Sequence, residues 1–201
     1  FIRVEEYFRE YEDYFKGKGC EVGRAVFPQD LTVQARAMMI REQLPKFDHG
    51  QPSVIIAHSQ GGLDARFALG RGGLSEVRAV ISIGVPHEGT PVADWVVDQR
   101  KRRTLIYQLL KLGGYDLRGL AFASQLTPVF LERNRRHFEP VPGVLYASAV
   151  ADCRQDCAWS LRLLRWWMGL SDGDGMVPAA SQRFGEDLGT YDLDHLSEIG
   201  V

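Results

Sequence analysis

The spacing of apolar residues along the first half of the chain switches between a helical period and continuous strand-like runs. Apolar side chains recur at positions 4, 7, 8, 11, 14 and 15, which predicts an amphipathic helix ending near Gly17. Residues 21–27 predict a short strand, and residues 32–44 predict a second helix. Two apolar runs, at 53–58 and 77–85, predict buried strands. Such strands, separated by helices, are typical of a mostly parallel sheet with helices on both faces, so the pattern predicts the α/β class.

The alternation breaks at about residues 91–139, where the pattern is helical throughout and no strand is predicted. Thr127 is a good capping residue, and Pro128 fits the first position of the helix that follows. An all-helical insertion in an α/β chain predicts a lid over an active site, with structural padding as the alternative interpretation. Its apolar residues are Trp95, Val96, Leu105, Ile106, Leu109, Leu110 and Leu112.

The last third of the chain returns to mixed patterns. Residues 144–150 predict a strand, residues 161–168 predict a helix, and a helical pattern begins again near His195. There is no internal repeat, low-complexity tract or linker. We therefore expect one domain over residues 1–201, incomplete at its N-terminus because Phe1 falls directly inside a helical pattern.

Composition and charge exclude several function classes. The 201 residues are 45% hydrophobic and 25% charged, as expected of a globular domain with one core. A formal net charge of −2 excludes a general attraction to nucleic acid. The basic run at 100–103 favours a solvated helix face, with docking on an anionic surface as the alternative. No apolar stretch reaches the roughly 18 residues of a membrane span, and no signal peptide is visible.

The three cysteines indicate neither a metal site nor a cofactor. Cys153 and Cys157 could close a small disulfide loop, which would leave Cys20 unpaired. No paired set of Cys or His accompanies them, so the spacing does not indicate zinc. We expect no cofactor and no bound metal.

The run from Val54 to Gly62 carries the most information about chemistry. Four apolar residues are followed by His58 and Ser59, and a helical pattern opens directly afterwards. A serine at a tight turn between a strand and a helix is typical of a nucleophile elbow, where small neighbours let the two backbones approach closely. Ala57 stands where the usual motif has its first glycine. The alternative is a serine that merely caps the helix.

A nucleophilic serine needs a base, and the base needs an acid to orient it. In chains with this elbow, the acid comes next in sequence and the histidine last. His195 satisfies this order, whereas the side chain of His58 should leave the backbone on the side opposite its neighbour Ser59. Asp172 and Asp174 compete for the role of acid in one glycine-containing turn, and both could instead bond their own backbone.

Four segments of the chain resemble those of the bacterial true lipases, the α/β-hydrolases that include the triacylglycerol lipases of Pseudomonas and Burkholderia. The segments, in order, are Ala57-His58-Ser59-Gln60-Gly61-Gly62-Leu63-Asp64-Ala65-Arg66, Gly84-Val85-Pro86-His87-Glu88-Gly89-Thr90-Pro91-Val92-Ala93-Asp94, Asp174-Gly175-Met176-Val177 and Asp194-His195-Leu196. The resemblance implies an α/β-hydrolase fold, a catalytic triad of Ser59, Asp174 and His195, and a mobile helical lid. It also favours a secreted or periplasmic location, although the residues themselves leave the compartment open.

Two departures from the family change what is expected of the site. Ser197 stands where calcium-binding members have an aspartate, and a hydroxyl is a poor calcium ligand, so we expect no such site. Residues 1–18 contain no match to the His-Gly loop that gives the family one oxyanion donor. The backbone N–H of Gln60 is then the expected donor, and a second must come from an upstream segment or another group.

Together these residues predict a serine hydrolase for esters with apolar acyl chains, acting on a small-molecule ester or a lipid. Transient contact with a lipid surface would follow from the lid. A short-chain esterase, a thioesterase or an acyltransferase could use the same triad. A non-catalytic binding protein on the same fold is the alternative from another class.

Overall fold

The computed structural model describes residues 8–25, 27–28, 31–102, 122–155 and 157–199. The strands are β1 (Ser53–His58), β2 (Val77–Ile83), β3 (Leu145–Ala151) and β4 (Glu186–Tyr191). The helices are α1 (Arg9–Gly17), α2 (Val33–Gln43), α3 (Pro45–Asp48), α4 (Gln60–Gly70), α5 (Pro91–Arg102), α6 (Pro128–Arg133), α7 (Trp159–Met168) and α8 (Ala179–Gln182). Short 3₁₀ helices lie at Arg135–His137 and Ser197–Ile199.

The strands form one parallel sheet in the order β1-β2-β3-β4. His58 at the end of β1 pairs with Ile83, which pairs in turn with Ala149 near the end of β3. Because parallel strands end at the same edge, the segments that follow them meet there. The predicted parallel α/β arrangement is confirmed, and this edge carries Ser59.

The core lies between the sheet and helices α2 and α4. Helix α4 packs on β1 and β2, and α2 packs on the far side of α4. The side chains at its centre are 0–1% exposed, and they include Val33, Leu63, Val77, Val80 and Val85. This packing fixes α4 directly behind the turn that joins it to β1.

One strand predicted from the sequence does not form, and another strand that does form was missed. Residues 21–25 and 27–28 are irregular rather than a strand. Strand β4 was not expected, because Glu186–Tyr191 is polar, contains Gly189 and has mainly exposed side chains. It lies at the end of the strand order, where a strand needs no apolar alternation to pair.

In the segment at residues 91–139, the described residues form helices joined by turns and bends, with no strand among them. Thr127 caps α6 as predicted, because its Oγ1 accepts a hydrogen bond from the Phe130 N–H at 3.2 Å. Residues 103–121, which include Leu105, Ile106, Leu109, Leu110 and Leu112, lie outside the described residues. The lid therefore stays a prediction.

Two further sequence expectations concern the membrane and the cysteines. Among the described residues, no helix combines the length and apolar character needed to cross a bilayer. Cys153 and Cys157 are free thiols whose Sγ atoms lie 2.6 Å apart, and Cys20 is free and exposed.

Candidate active site

Ser59 occupies a strained turn between β1 and α4. Its φ of 53° and ψ of −133° lie in a region that residues other than glycine rarely adopt. The backbone is held there by a 3.1 Å hydrogen bond from the Ser59 N–H to the Ile83 carbonyl oxygen on β2. The side chain makes no capping bond to α4. The interpretation of Ser59 as a simple helix cap is therefore wrong, and its hydroxyl is available to other groups.

Small residues after Ser59 allow the close approach that the turn needs. A Cβ on Gly62 would overlap the side chain of Val85. A Cβ on Gly61 would lie 3.9 Å from the Ala57 Cβ, an ordinary contact. The methyl group of Ala57 is therefore accommodated, and Gly62 is the position at which a larger side chain does not fit.

The structure brings Ser59, His195 and Asp174 into one line of hydrogen bonds. The Nε2 atom of His195 lies 3.0 Å from the Ser59 Oγ, and its Nδ1 atom lies 2.8 Å from the Asp174 Oδ2. Both His195 and Asp174 are buried, with 6% and 0% of their surfaces exposed. A carboxylate can only accept hydrogen bonds, so Nδ1 carries the proton and Nε2 is free to accept one from the serine.

Asp174 is fixed by its own turn, whereas Asp172 has another partner. The Oδ1 atom of Asp174 accepts hydrogen bonds from the N–H groups of Met176 at 2.8 Å and Val177 at 2.7 Å. Its Oδ2 atom is thereby left to face the imidazole. Asp172 instead accepts a 3.0 Å bond from the N–H of Ala179 at the start of α8. Of the two competing carboxylates, only Asp174 therefore contacts the histidine.

The segment at residues 86–90 ties the acid turn to the rest of the edge. The Thr90 hydroxyl donates a hydrogen bond to the Met176 carbonyl oxygen, two residues beyond Asp174. The Ser181 hydroxyl donates to the Gly89 carbonyl oxygen at 2.7 Å and accepts from the Glu88 N–H at 3.1 Å. This segment therefore supports the acid turn from outside, through bonds to Met176 and Ser181.

Gln60 is the first residue of α4, directly after Ser59. The N–H of a first helical residue has no acceptor within its own helix. It also lies at the positive end of the helix dipole, which favours a developing negative charge. This is the position that the sequence predicted for an oxyanion donor.

Glu198 is a buried neighbour of the site that the sequence analysis missed. Its Oε2 atom lies 3.0 Å from the His58 Nε2, and its Oε1 atom lies 4.0 Å from the His195 Nδ1. Burial first, and then the charge of Asp174, raises the pKa of Glu198 to about 10, so this carboxyl group is neutral at neutral pH. Its spacing from His195 could have indicated this neighbour, because residues three positions apart lie on the same side of a helical turn.

His58 lies closer to the site than the sequence suggested. Its ring centroid is 4.5 Å from that of His195. Burial, reinforced by His195, lowers the pKa of His58 well below its usual range, so the ring is neutral. Within the described ranges, His58, His195 and Glu198 bring three possible metal-ligand atoms within 4.8 Å of one another. In this arrangement the Nδ1 atom of His195 is engaged by Asp174.

Comparisons with known proteins bear on the fold of the chain. No protein-family model matches the chain. The triacylglycerol lipase 2 of Saccharomyces cerevisiae is 27% identical over an alignment 213 residues long. The alignment covers 96% of this chain and 62% of the yeast lipase. The chain therefore spans less than two thirds of the length of this relative.

Two solved structures share the fold. The mature form of a Bacillus licheniformis lipase matches 84% of this chain and 69% of its own, with a TM-score of 0.65 and 21% identity. A metagenomic carboxyl esterase matches 84% of this chain and 52% of its own, with a TM-score of 0.69 and 23% identity. The parallel sheet, the helices around it and these likenesses together show that the chain has the α/β-hydrolase fold of lipases and esterases.

Proposed function

We propose that this chain is the catalytic part of a serine hydrolase that cleaves carboxylic esters with apolar acyl chains. Ser59 is its nucleophile, His195 its general base and Asp174 the acid that orients the base. One observation carries the proposal: a single imidazole lies 3.0 Å from the Ser59 hydroxyl and 2.8 Å from the Asp174 carboxylate. The names of the yeast lipase, the Bacillus lipase and the carboxyl esterase support this reaction class.

In the first half of the reaction, the Ser59 Oγ attacks the ester carbonyl carbon while His195 Nε2 takes the hydroxyl proton. Asp174 keeps the Nδ1 proton in place and stabilises the imidazolium that forms. The carbonyl oxygen becomes an oxyanion, which accepts a hydrogen bond from the Gln60 N–H. The tetrahedral intermediate collapses, the bond to the alcohol oxygen breaks, and the imidazolium gives that oxygen its proton.

In the second half, water replaces the alcohol. His195 takes a proton from the water as its oxygen attacks the acyl carbon bound to Ser59. The bond to Ser59 Oγ then breaks, the imidazolium returns a proton to the serine, and the carboxylic acid leaves. Glu198 is neutral in the resting site at neutral pH, so Asp174 is the carboxylate that stabilises the imidazolium.

The preference for apolar acyl chains, and transient contact with a lipid surface, are parts of the same proposal. Their support is the helical sequence pattern at residues 91–139, the motif resemblance to bacterial true lipases and the name of the yeast relative. Turnover of p-nitrophenyl esters of increasing acyl length, with and without a lipid interface, tests this part. A preference for short soluble esters without interfacial activation would contradict it.

The catalytic assignment is tested by Ser59→Ala. We expect its ester turnover to fall by about 10⁴-fold or more, because the nucleophile is lost. Ser75→Ala is the matched control, since Ser75 is exposed and its hydroxyl donates to the side chain of its neighbour Glu76. A fluorophosphonate that modifies the intact chain at Ser59, located by mass spectrometry, gives a second readout. Equal turnover by Ser59→Ala and the unaltered chain would contradict the assignment of Ser59 as the nucleophile.

A further inference from the structure

Arg165 binds a cluster of backbone oxygens from the loops on either side of α7. Its Nη1 atom donates to the Cys153 carbonyl at 2.6 Å and to the Gly173 carbonyl at 3.4 Å. Its Nη2 atom donates to the Ser171 carbonyl at 2.6 Å, and its Nε atom donates to the Leu170 carbonyl at 3.2 Å. One guanidinium thus gathers four carbonyl oxygens, and they come from the segment after β3 and the segment before Asp174.

Asp152 completes this cluster from the end of the sheet. Its Oδ1 atom accepts a 2.9 Å hydrogen bond from the Gly173 N–H and lies 3.7 Å from the Arg165 Nη1. The Gly173 carbonyl also accepts a 3.0 Å bond from the Cys153 N–H. Both backbone groups of Gly173 are therefore held, by partners that Arg165 contacts. The Gly173 φ of 96° and the overlap that a Cβ would make with the Val177 backbone show how tightly the turn is set.

Gly173 is covalently joined to Asp174, so its position passes directly to the acid. The Asp174 carbonyl oxygen accepts a 3.0 Å hydrogen bond from the His195 N–H. The turn therefore carries the backbone of the base as well as the carboxylate that faces its ring. Any shift of Gly173 moves both partners relative to Ser59, which is fixed separately on β1.

The charge of Arg165 is what makes this cluster favourable. Carbonyl oxygens that converge on one point repel one another unless a cation lies between them. A guanidinium offers five N–H donors in a fixed plane, whereas the ammonium of lysine cannot span four separated acceptors in the same way. The Arg165 side chain is 19% exposed and that of Asp152 is 4% exposed, so water screens the interaction only in part.

We propose that Arg165 is a positioning residue for the acid of the site: its guanidinium holds the loops around Gly173 so that Asp174 faces His195 at hydrogen-bonding distance. This inference rests on the proposed function for its effect on turnover. It assigns to α7 a role that neither the family resemblance nor the motifs suggested. Arg165 lies nine positions before Asp174 in sequence, and through it α7 organises the acid turn.

The test compares Arg165→Ala and Arg165→Lys with Arg162→Ala. Arg162 is an exposed residue of the same helix. Its backbone N–H donates to the Ala158 carbonyl oxygen, and this bond does not depend on the side chain. At a temperature where circular dichroism shows each variant folded, we expect kcat of Arg165→Ala to fall by about 10–100-fold with little change in KM. Arg162→Ala should keep kcat within about twofold. Arg165→Lys should recover only part of the loss.

Chemical rescue separates positioning from general destabilisation. Millimolar guanidinium should restore part of the kcat of Arg165→Ala and none of that of Asp174→Asn, because only the first variant lacks a guanidinium. Unchanged kcat in folded Arg165→Ala, or a loss confined to KM, would overturn the proposal.

A readout that needs no turnover keeps this proposal apart from the proposed function. The proton between His195 Nδ1 and Asp174 gives a low-field ¹H NMR signal, assigned by its loss in Asp174→Asn. We expect the signal to shift or broaden in Arg165→Ala and to persist in Arg162→Ala and Ser59→Ala. An unchanged signal in Arg165→Ala would refute the positioning role, whereas absent turnover in the unaltered chain would refute only the ester hydrolase.

Discussion

Replacing Glu198 by glutamine should change how the stability of this protein depends on pH. In the folded chain, burial and then the charge of Asp174 raise the pKa of Glu198 from 4.5 to about 10. Below about pH 4.5, the folded and unfolded chains both hold the proton. Between about pH 4.5 and about pH 10, the unfolded chain loses it and the folded chain keeps it, so stability falls as the pH rises.

The size of the effect follows from this difference in bound protons. One proton more in the folded state lowers the free energy of unfolding by up to about 1.4 kcal/mol per pH unit. Between about pH 6 and about pH 8, Glu198 therefore contributes a fall of up to about 2.7 kcal/mol. Glutamine has a similar shape and does not titrate, so Glu198→Gln should lack this contribution. Its stability relative to the unaltered chain should increase across that interval.

Urea denaturation of both proteins at several pH values measures this relative stability. Titrating groups away from Glu198, such as His87 with its lowered pKa, are common to both and cancel in the difference. Glu132→Gln serves as a control, because the Glu132 side chain is 75% exposed and its pair with Arg135 spans 3.9 Å. Parallel curves for Glu198→Gln and the unaltered chain from about pH 5 to about pH 9 would refute the neutral, buried carboxyl group.

Two further predictions use pairs of neighbouring positions. Asp174→Asn should lower kcat for ester hydrolysis by about 10³–10⁴-fold, because an amide no longer fixes the histidine tautomer, while Asp172→Asn should retain most of the activity; similar losses in steady-state assays of the two would contradict the assignment of the acid. Gly62→Ala should lower the free energy of unfolding by about 1–3 kcal/mol, because its Cβ overlaps Val85, while Gly61→Ala meets only an ordinary contact. Equal urea midpoints for the two glycine variants would show that the turn tolerates a larger side chain.

The sequence predicted the parts of the fold that depend on local patterns. The apolar runs of β1 and β2 and the cap at Thr127 were recognised because each is a short-range signal. Strand β4 was not, because a polar strand is stabilised by its neighbour in the sheet rather than by its own residues. The strand prediction at residues 21–27 was wrong because local sequence alone does not make a strand. A strand also needs a neighbouring strand with which to pair.

The candidate site was predictable to a similar extent. Ser59, Asp174 and His195 could be chosen from chain order and family resemblance. The supporting groups could not, because their roles depend on contacts between distant segments. Glu198 acquires its raised pKa only when it is buried beside the acid, and Arg165 meets its acceptors only after β3 and the acid turn are assembled. No motif in the sequence carries that information.

The separation of the site's parts along the chain has a consequence for the order of folding. Ser59 and His195 are 136 residues apart in sequence, yet their side chains lie 3.0 Å apart. Strands β2, β3 and β4 of the parallel sheet lie between them in sequence. Pairing of these strands closes long loops, so it is intrinsically slow. A partly folded chain can hold the elbow on β1 and α4 while the base is still unplaced. The reactive geometry therefore arises late, after these strands have paired.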